Sequence, residues 1–99
     1  MESEALKKYK EKEAQRVAIN MKHLENGVDF VDLYAAYIDE EVQIGAGTVI
    51  GPCVTLKGKT VIGQNCVIGQ NTRIEDSVLG DGVDVQSSVI LQSSVGAET

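Results

Sequence analysis

Few residues in this sequence could do chemistry, and they stand far apart. His23 is the only histidine, and it could act as a general base or a metal ligand. No carboxylate or second histidine stands at ligand spacing, so we interpret His23 as a residue that stabilises a helix end. The chain has no Ser/His/Asp arrangement, paired-histidine metal site or phosphate-binding loop. We therefore predict no catalytic, cofactor-binding or metal-binding residue.

Two cysteine thiols and three cationic side chains are the remaining candidates for a chemical or binding role. Cys53 and Cys66 are predicted to lie on different faces of the fold, so we expect two free thiols in a reducing compartment rather than a disulfide. Lys57, Lys59 and Arg73 could bind an anion, but exposed cations are usually solvated, and we predict a surface role for them.

A six-residue repeat organises the chain from residue 38 onward. Each hexad opens with an aliphatic residue, and the residue four places later is valine or a small side chain. A period of six matches neither an amphipathic helix, which repeats at about 3.6, nor a simple strand. It indicates a short strand followed by a corner of Gly, Asn or Pro. Such units wind into a solenoid of parallel strands. The openers are Ile38, Ile44, Ile50, Leu56, Ile62, Ile68 and Ile74, and the small residues are Val42, Thr48, Val54, Thr60, Cys66 and Thr72.

The segment before the repeats has the pattern of one helix. Ser3 is the predicted N-cap and Gly27 the residue just past the C-terminal end. Apolar residues at spacings of three and four predict the face that packs against the rest of the protein. These residues are Ala14, Val17, Met21, Leu24 and Val28.

These patterns divide the chain into three predicted segments. We predict a linker helix over 1–27, a connection and cap over 28–37, and β-helix coils over 38–99. In the connection, Tyr34 and Tyr37 are expected to cover the open end of the first coil, because solenoids protect their terminal strands.

The repeat slips after Ile74. The next opener is Leu79, five places on, after which Val85 and Leu91 are predicted to resume the period of six, with Val95 four places later. We interpret the end in mid-hexad as a truncation, and we expect the last coil to fray from about Val89 and to associate end to end.

Composition narrows the class of function. The net charge of −6 argues against a nucleic-acid partner, which requires a basic face. No apolar run approaches the roughly 20 residues of a membrane span, and the charged first residues do not form a signal peptide. A cytoplasmic location is therefore expected.

The hexads resemble the hexapeptide-repeat superfamily of left-handed parallel β-helices, in which three hexads form one triangular coil. The resemblance implies coils at 38–55, 56–73 and 74–90, with a fourth from Leu91, so that equivalent openers of successive coils stack on one face. Parallel crossovers are generally right-handed, so the left hand is implied by the resemblance alone. The residues before the repeats are similar to the linker of a bacterial bifunctional family. That family combines N-acetylglucosamine-1-phosphate uridyltransferase and glucosamine-1-phosphate N-acetyltransferase. The similar phrases are residues 19–28, Phe30-Val31-Asp32, Tyr37-Ile38, Leu56 to Gly63 and Ile74 to Gly82. Asp32-Leu33 departs from the family, which usually has Asp-Pro there.

The resemblance implies a parent enzyme that uses acetyl-CoA, UTP and magnesium and forms a homotrimer. No position here matches the family's catalytic motifs, so the chain is predicted to be an inactive structural segment and to show no acetyltransferase activity alone. Two alternatives remain open at this point. One is a stand-alone assembly module, and the other is part of a different hexapeptide acyltransferase.

Overall fold

The computed structural model describes residues 1–96. Within them, one helix, α1 (Glu4–Glu25), precedes twelve short strands and a 3-10 turn at Leu33–Ala35. The strands form three four-stranded sheets in which every pairing is parallel. A chain that visits three sheets in rotation is a three-sided solenoid, which confirms the predicted mainly β architecture with one helix before it.

Each sheet takes every third strand of the chain. Sheet A contains β1 (Asp29–Phe30), β4 (Val49–Ile50), β7 (Val67–Ile68) and β10 (Asp84–Val85). Sheet B contains β2 (Ala36–Ile38), β5 (Val54–Lys57), β8 (Arg73–Glu75) and β11 (Val89–Leu91). Sheet C contains β3 (Gln43–Ile44), β6 (Val61–Ile62), β9 (Val78–Leu79) and β12 (Ser94–Val95).

The hexad openers stack in register along each sheet. Leu56 pairs with both Ile38 and Ile74 in sheet B, and Ile68 pairs with Ile50 and Val85 in sheet A. This stacking of openers three hexads apart is what the family resemblance implies. The shortened hexad is also confirmed, because Leu79 pairs with Ile62 in sheet C. Most openers are fully buried, so the solenoid axis is one aliphatic column.

One predicted opener is wrong. Leu91 pairs with Glu75 and its side chain is 52% exposed, whereas Ile90 pairs with Ile74 and packs against the core. The fourth coil therefore starts at Ile90. Val89, Ile90 and Leu91 are all apolar, so periodicity alone cannot select the inward residue. The length of the preceding corner selects it, and Val95 then follows five places on rather than four.

Most polar side chains inside the prism are hydrogen-bonded at the corners. The Thr48 hydroxyl donates to the Gly63 carbonyl at 2.8 Å and accepts the Cys66 amide at 3.1 Å. One coil later, the Cys66 thiol takes the equivalent position and donates to the Gly80 carbonyl at 3.1 Å. These bonds explain how Thr48 and Cys66 are buried without the cost of unpaired groups, whereas the buried Thr72 hydroxyl has no partner among the described residues.

Each vertex of the prism contains a stack of residues with left-handed backbone. Such a conformation suits Gly and Asn, because other side chains crowd the backbone there. At the vertex between sheets A and B, the stacked residues are Cys53, Asn71 and Ser87, with φ values of 59°, 58° and 45°. Cys53 is therefore in a conformation that its side chain does not favour.

Replacing Cys53 by asparagine is expected to stabilise the protein by roughly 0.5–1 kcal/mol, because asparagine tolerates left-handed backbone better than cysteine. The Cys53 amide donates to the Ala35 carbonyl at 2.7 Å, and the substitution keeps that bond. Thermal and urea unfolding of Cys53→Asn measure the gain. Cys53→Ala is the matched control, since it removes the thiol without favouring the conformation. Equal stability of the two variants would contradict the explanation.

Helix α1 starts and ends where the sequence predicts, but the face that packs lies about 100° around the helix from the predicted apolar face. The Ser3 hydroxyl accepts the Leu6 amide at 3.1 Å as N-cap, and Gly27 follows the helix with φ 95°. Met21 and Leu24, in the predicted apolar face, are 46% and 45% exposed. The fully buried residue of the helix is Asn20. Of the predicted apolar face, Val28 is buried and Val17 is half-buried, so the prediction is wrong for Met21 and Leu24 in particular.

Candidate functional site: the junction of helix and solenoid

Asn20 attaches α1 to the first coil by hydrogen bonds. Its side chain is fully buried, and Nδ2 donates to the carbonyls of Leu33 at 2.8 Å and Ala36 at 3.0 Å. Strand β2 is the edge of sheet B, so its outer carbonyls have no neighbouring strand to supply donors. A side-chain amide from the helix supplies them instead. Oδ1 of Asn20 has no partner among the described residues.

Arg16, one helical turn earlier, adds a second set of bonds. Its Nη1 atom donates to the carbonyls of Tyr34 at 2.8 Å and Ala36 at 2.9 Å. The other side of the guanidinium forms two bonds to the Glu13 carboxylate, at 2.8 and 2.9 Å. These bonds lower the pKa of Glu13 and raise that of Arg16. The pair therefore stays ionised, and the planar guanidinium is held over the strand edge.

The cover of the first coil thus differs from the prediction. Tyr34 and Tyr37 are 62% and 49% exposed, so neither ring closes the end of the solenoid. The Tyr37 ring instead supports the Arg16 guanidinium, whose carbon lies 4.6 Å from the ring centroid. The backbone carbonyls at an open strand edge need hydrogen-bond donors, and the face of an aromatic ring packed against that edge provides none. Polar helix residues therefore form the cap.

A cavity of about 820 Å³ lies between α1 and strand β3, and we call it the junction groove. Ile19 and His23 line its helix side, Ile44 and Val61 its sheet side, and Glu40 and Glu41 stand at the corner before β3. Burial, and to a smaller extent the neighbouring Lys22 charge, lowers the pKa of His23. His23 is half-buried in the last helical turn beside apolar side chains, and the lowered pKa disfavours the charged imidazolium that would stabilise the helix end.

The other candidates from the sequence are not brought together. Lys57 and Lys59 are exposed, and exposed Arg73 pairs with Glu75 at 3.0 Å. Both cysteines are free thiols, Cys53 exposed at a vertex and Cys66 buried inside. The described part of the chain holds no group of three or more His, Cys, Asp or Glu residues that could bind a metal ion. That catalytic and binding residues are absent stays a prediction.

Among the described residues, no helix is both long enough and apolar enough to cross a membrane. This observation concerns α1 in particular. Its surface is rich in Lys and Glu, and its buried contact is polar.

The residues that form the junction were missed by the search for chemistry. Glu13, Arg16, Asn20 and His23 recur at spacings of three, four and three, so they lie on one helical face. A polar stripe of this kind is usually predicted to be the solvent-exposed face of a helix. Only the neighbouring strand edge, with its unpaired carbonyls, shows why this stripe points inward.

Comparison with curated proteins identifies the relatives of this chain. The bifunctional protein GlmU of Alkaliphilus oremlandii is 53% identical over 81 residues, which are 82% of this chain and 18% of that protein. The GlmU of Caldanaerobacter subterraneus is 56% identical over the same length and shares. That of Alkaliphilus metalliredigens is 46% identical over 83 residues, 84% of this chain and 18% of the protein.

No protein-family model matches the chain. The similarity to the curated proteins nevertheless covers the end of the helix and the coils together, and the solenoid has the architecture that the resemblance implied. The chain spans about a fifth of the length of these relatives. By its sequence and its fold, the chain belongs to the family of the bifunctional protein GlmU.

Proposed function

We propose that the chain is the structural segment of a bifunctional enzyme that makes UDP-N-acetylglucosamine for cell-wall peptidoglycan. The identity of 53% over 81 residues to a bifunctional protein carries this proposal. In the parent enzyme, acetyl-CoA acetylates the amine of glucosamine 1-phosphate, and UTP then donates a uridylyl group with the help of magnesium. The parent works in the cytoplasm. Residues 1–27 serve as the linker helix, 28–37 as connection and cap, and 38–99 as coils of a left-handed β-helix.

The contribution of this segment is mechanical. The hydrogen bonds of Arg16 and Asn20 to the first coil hold the end of α1 at one angle to the solenoid. A domain joined to the start of α1 is thereby kept at a set distance and direction from the later coils. The described residues offer no cluster suited to magnesium, so no catalytic step is assigned to them.

A homotrimer is part of the same proposal. The outward positions of sheets C and A carry valines on both sides of one vertex of the prism, with Val61 and Val78 on sheet C and Val49 and Val67 on sheet A. Three of these valines are between 36% and 49% exposed. Sheet B presents the charged Lys57, Arg73 and Glu75 on its inner strands, and its exposed apolar residues Val89 and Leu91 are confined to its last strand, β11. Exposed apolar stripes beside a narrow glycine-containing vertex favour packing of three prisms around that vertex.

A chimaera tests this proposal. We expect that the GlmU of Alkaliphilus oremlandii, with its matching 81 residues replaced by those of this chain, keeps both transferase activities and remains a trimer. The reason is that a structural segment of the same fold preserves the spacing of the two sites. Steady-state assays of each reaction and light scattering measure the outcome.

Two controls accompany the chimaera. The 99-residue chain alone is expected to show neither activity. A second chimaera carries Arg16→Ala and Asn20→Ala, which remove the hydrogen bonds between α1 and the first coil. Comparing the two chimaeras shows whether activity depends on the position of α1 or only on the insert being tolerated. A folded chimaera that is monomeric, or that has lost both activities, would refute the proposal.

A further inference from the structure

We propose that the junction groove is a binding site for an extended peptide segment, which adds one strand to the open edge of β3. The proposal concerns a protein partner that binds through its backbone. It does not depend on the enzymatic role proposed above.

The backbone of β3 has unused hydrogen-bonding groups on the groove side. The amides of Gln43 and Gly45 donate to the carbonyls of Thr60, just before β6, and of Ile62 in β6, at 3.0 and 2.9 Å. Alternate residues of a parallel strand bond to opposite neighbours. The N–H and C=O of Ile44 therefore point away from β6 and toward the groove, where no other strand of the described chain lies.

Helix α1 contacts the edge strands of sheets B and C in different ways. At the edge of sheet B, the carbonyl of Ala36 accepts bonds from both Arg16 and Asn20. At the edge of sheet C, the helix leaves a cavity of about 820 Å³ between itself and β3. This volume lies within the range of roughly 300–1,000 Å³ that ligand sites occupy. One edge is thus closed by side chains, whereas the other is open and has room above it.

The register of sheet C defines the chemistry of the occupant. Inward positions in this sheet stack Ile44, Ile62, Leu79 and Val95, so an added strand needs an aliphatic residue above Ile44. That side chain would also meet Ile19, which faces the groove from α1. The outward position above Gln43 suits a β-branched residue, as in Val61 below it.

Charged residues at the two ends of the groove set the direction of the peptide. Glu40 and Glu41 precede β3 and outnumber the one cation at that end, Lys59 of the next coil, whereas Lys22 lines the groove from the last turn of the helix. A strand parallel to β3 starts near the two carboxylates and ends near Lys22. The occupant is therefore an extended segment with a basic residue before its apolar pair and an acidic residue after it.

Nuclear magnetic resonance titration of the full chain tests this inference. The probe is the peptide acetyl-KTVIGE-amide, which follows the pattern of Lys59 to Gly63. We expect saturable shifts of the amide signals of residues 42–45 and of the facing turn of α1. Two amide groups of the peptide, those of its valine and glycine, should donate to the carbonyls of Val42 and Ile44. The same peptide methylated at these two nitrogens is expected to bind at least tenfold more weakly.

Variants of the chain provide an independent measurement. Ile44→Pro removes the N–H that faces the groove, while the bonds to β6 come from residues 43 and 45. It is expected to weaken binding at least tenfold, and Ile44→Val, which keeps the N–H, is the matched control. Shifts that do not saturate, shifts at another surface, or equal affinity of the methylated peptide would each overturn the inference, even where Ile44→Pro fails to fold.

Discussion

Replacing Gly45 by alanine is expected to lower the free energy of unfolding by about 3 kcal/mol, a large effect for the addition of one methyl group. A Cβ atom at this position would lie 2.7 Å from the backbone nitrogen of Gln64 and from the carbonyl carbon and oxygen of Gly63. These atoms belong to the next coil and cannot rotate away. The two coils would have to separate, which strains the bond from the Gly45 amide to the Ile62 carbonyl.

Urea unfolding followed by circular dichroism measures this loss. Ala46→Ser is the matched control, because Ala46 is the exposed next residue of the same corner, and a change within about 0.5 kcal/mol is expected there. An unchanged unfolding midpoint for Gly45→Ala would show that the stacking of the coils is looser than the structure indicates. Gly63 stands in the same relation to the coil after it, since its Cβ would lie 2.7 Å from the amide nitrogen of Asp81.

Asn20→Ala is expected to destabilise the junction by about 3 kcal/mol. The substitution removes two hydrogen bonds, each contributing about 1 kcal/mol, and leaves the Leu33 carbonyl without its donor, at a further cost of about 1–3 kcal/mol. Because Asn20 connects α1 to the first coil, the loss should be concentrated in the helix. The later coils do not touch this side chain and should keep their protection.

Hydrogen exchange resolved along the chain measures where this loss falls. We expect faster exchange in the second half of α1 and in residues 33–38, with little change in β7 to β9. Gln15→Ala is the control, because it removes an exposed amide from the same helix. Equal protection of α1 in Asn20→Ala and Gln15→Ala would exclude the hydrogen-bonded attachment as the main contact. The predicted fraying of the last coil can be examined in the same experiment, as far as residue 96.

Much of the fold could be predicted because a repeat combines several signals. Ile38, Leu56 and Ile74 are each a weak indication of a buried strand. Their fixed separation indicates that they occupy equivalent places in successive coils, and the observed register agrees. The shortened hexad at Leu79 could be recognised because Gly80 follows it, as glycine follows other openers. No such mark distinguishes Ile90 from Leu91, and there the prediction failed.

The candidate site was beyond prediction from local patterns. Met21 and Leu24 have the spacing of a packed apolar face, yet both are exposed, while Asn20, the residue before Met21, is fully buried. Hydrophobic periodicity assumes that the surface a helix packs against is apolar. Here that surface includes the edge of a sheet, whose carbonyl groups must find donors.

The sequence by itself therefore determined the repeat, the three-sided solenoid, the limits of α1 and the family, because each of these depends on the type and spacing of residues along the chain. Only the tertiary structure decided which face of α1 is buried, where the fourth coil begins and which strand edge stays open. These features depend on groups that meet across the fold. The side-chain donors of Arg16 and Asn20 bind carbonyl acceptors of the first coil. The local sequence of neither segment indicates that it contacts the other.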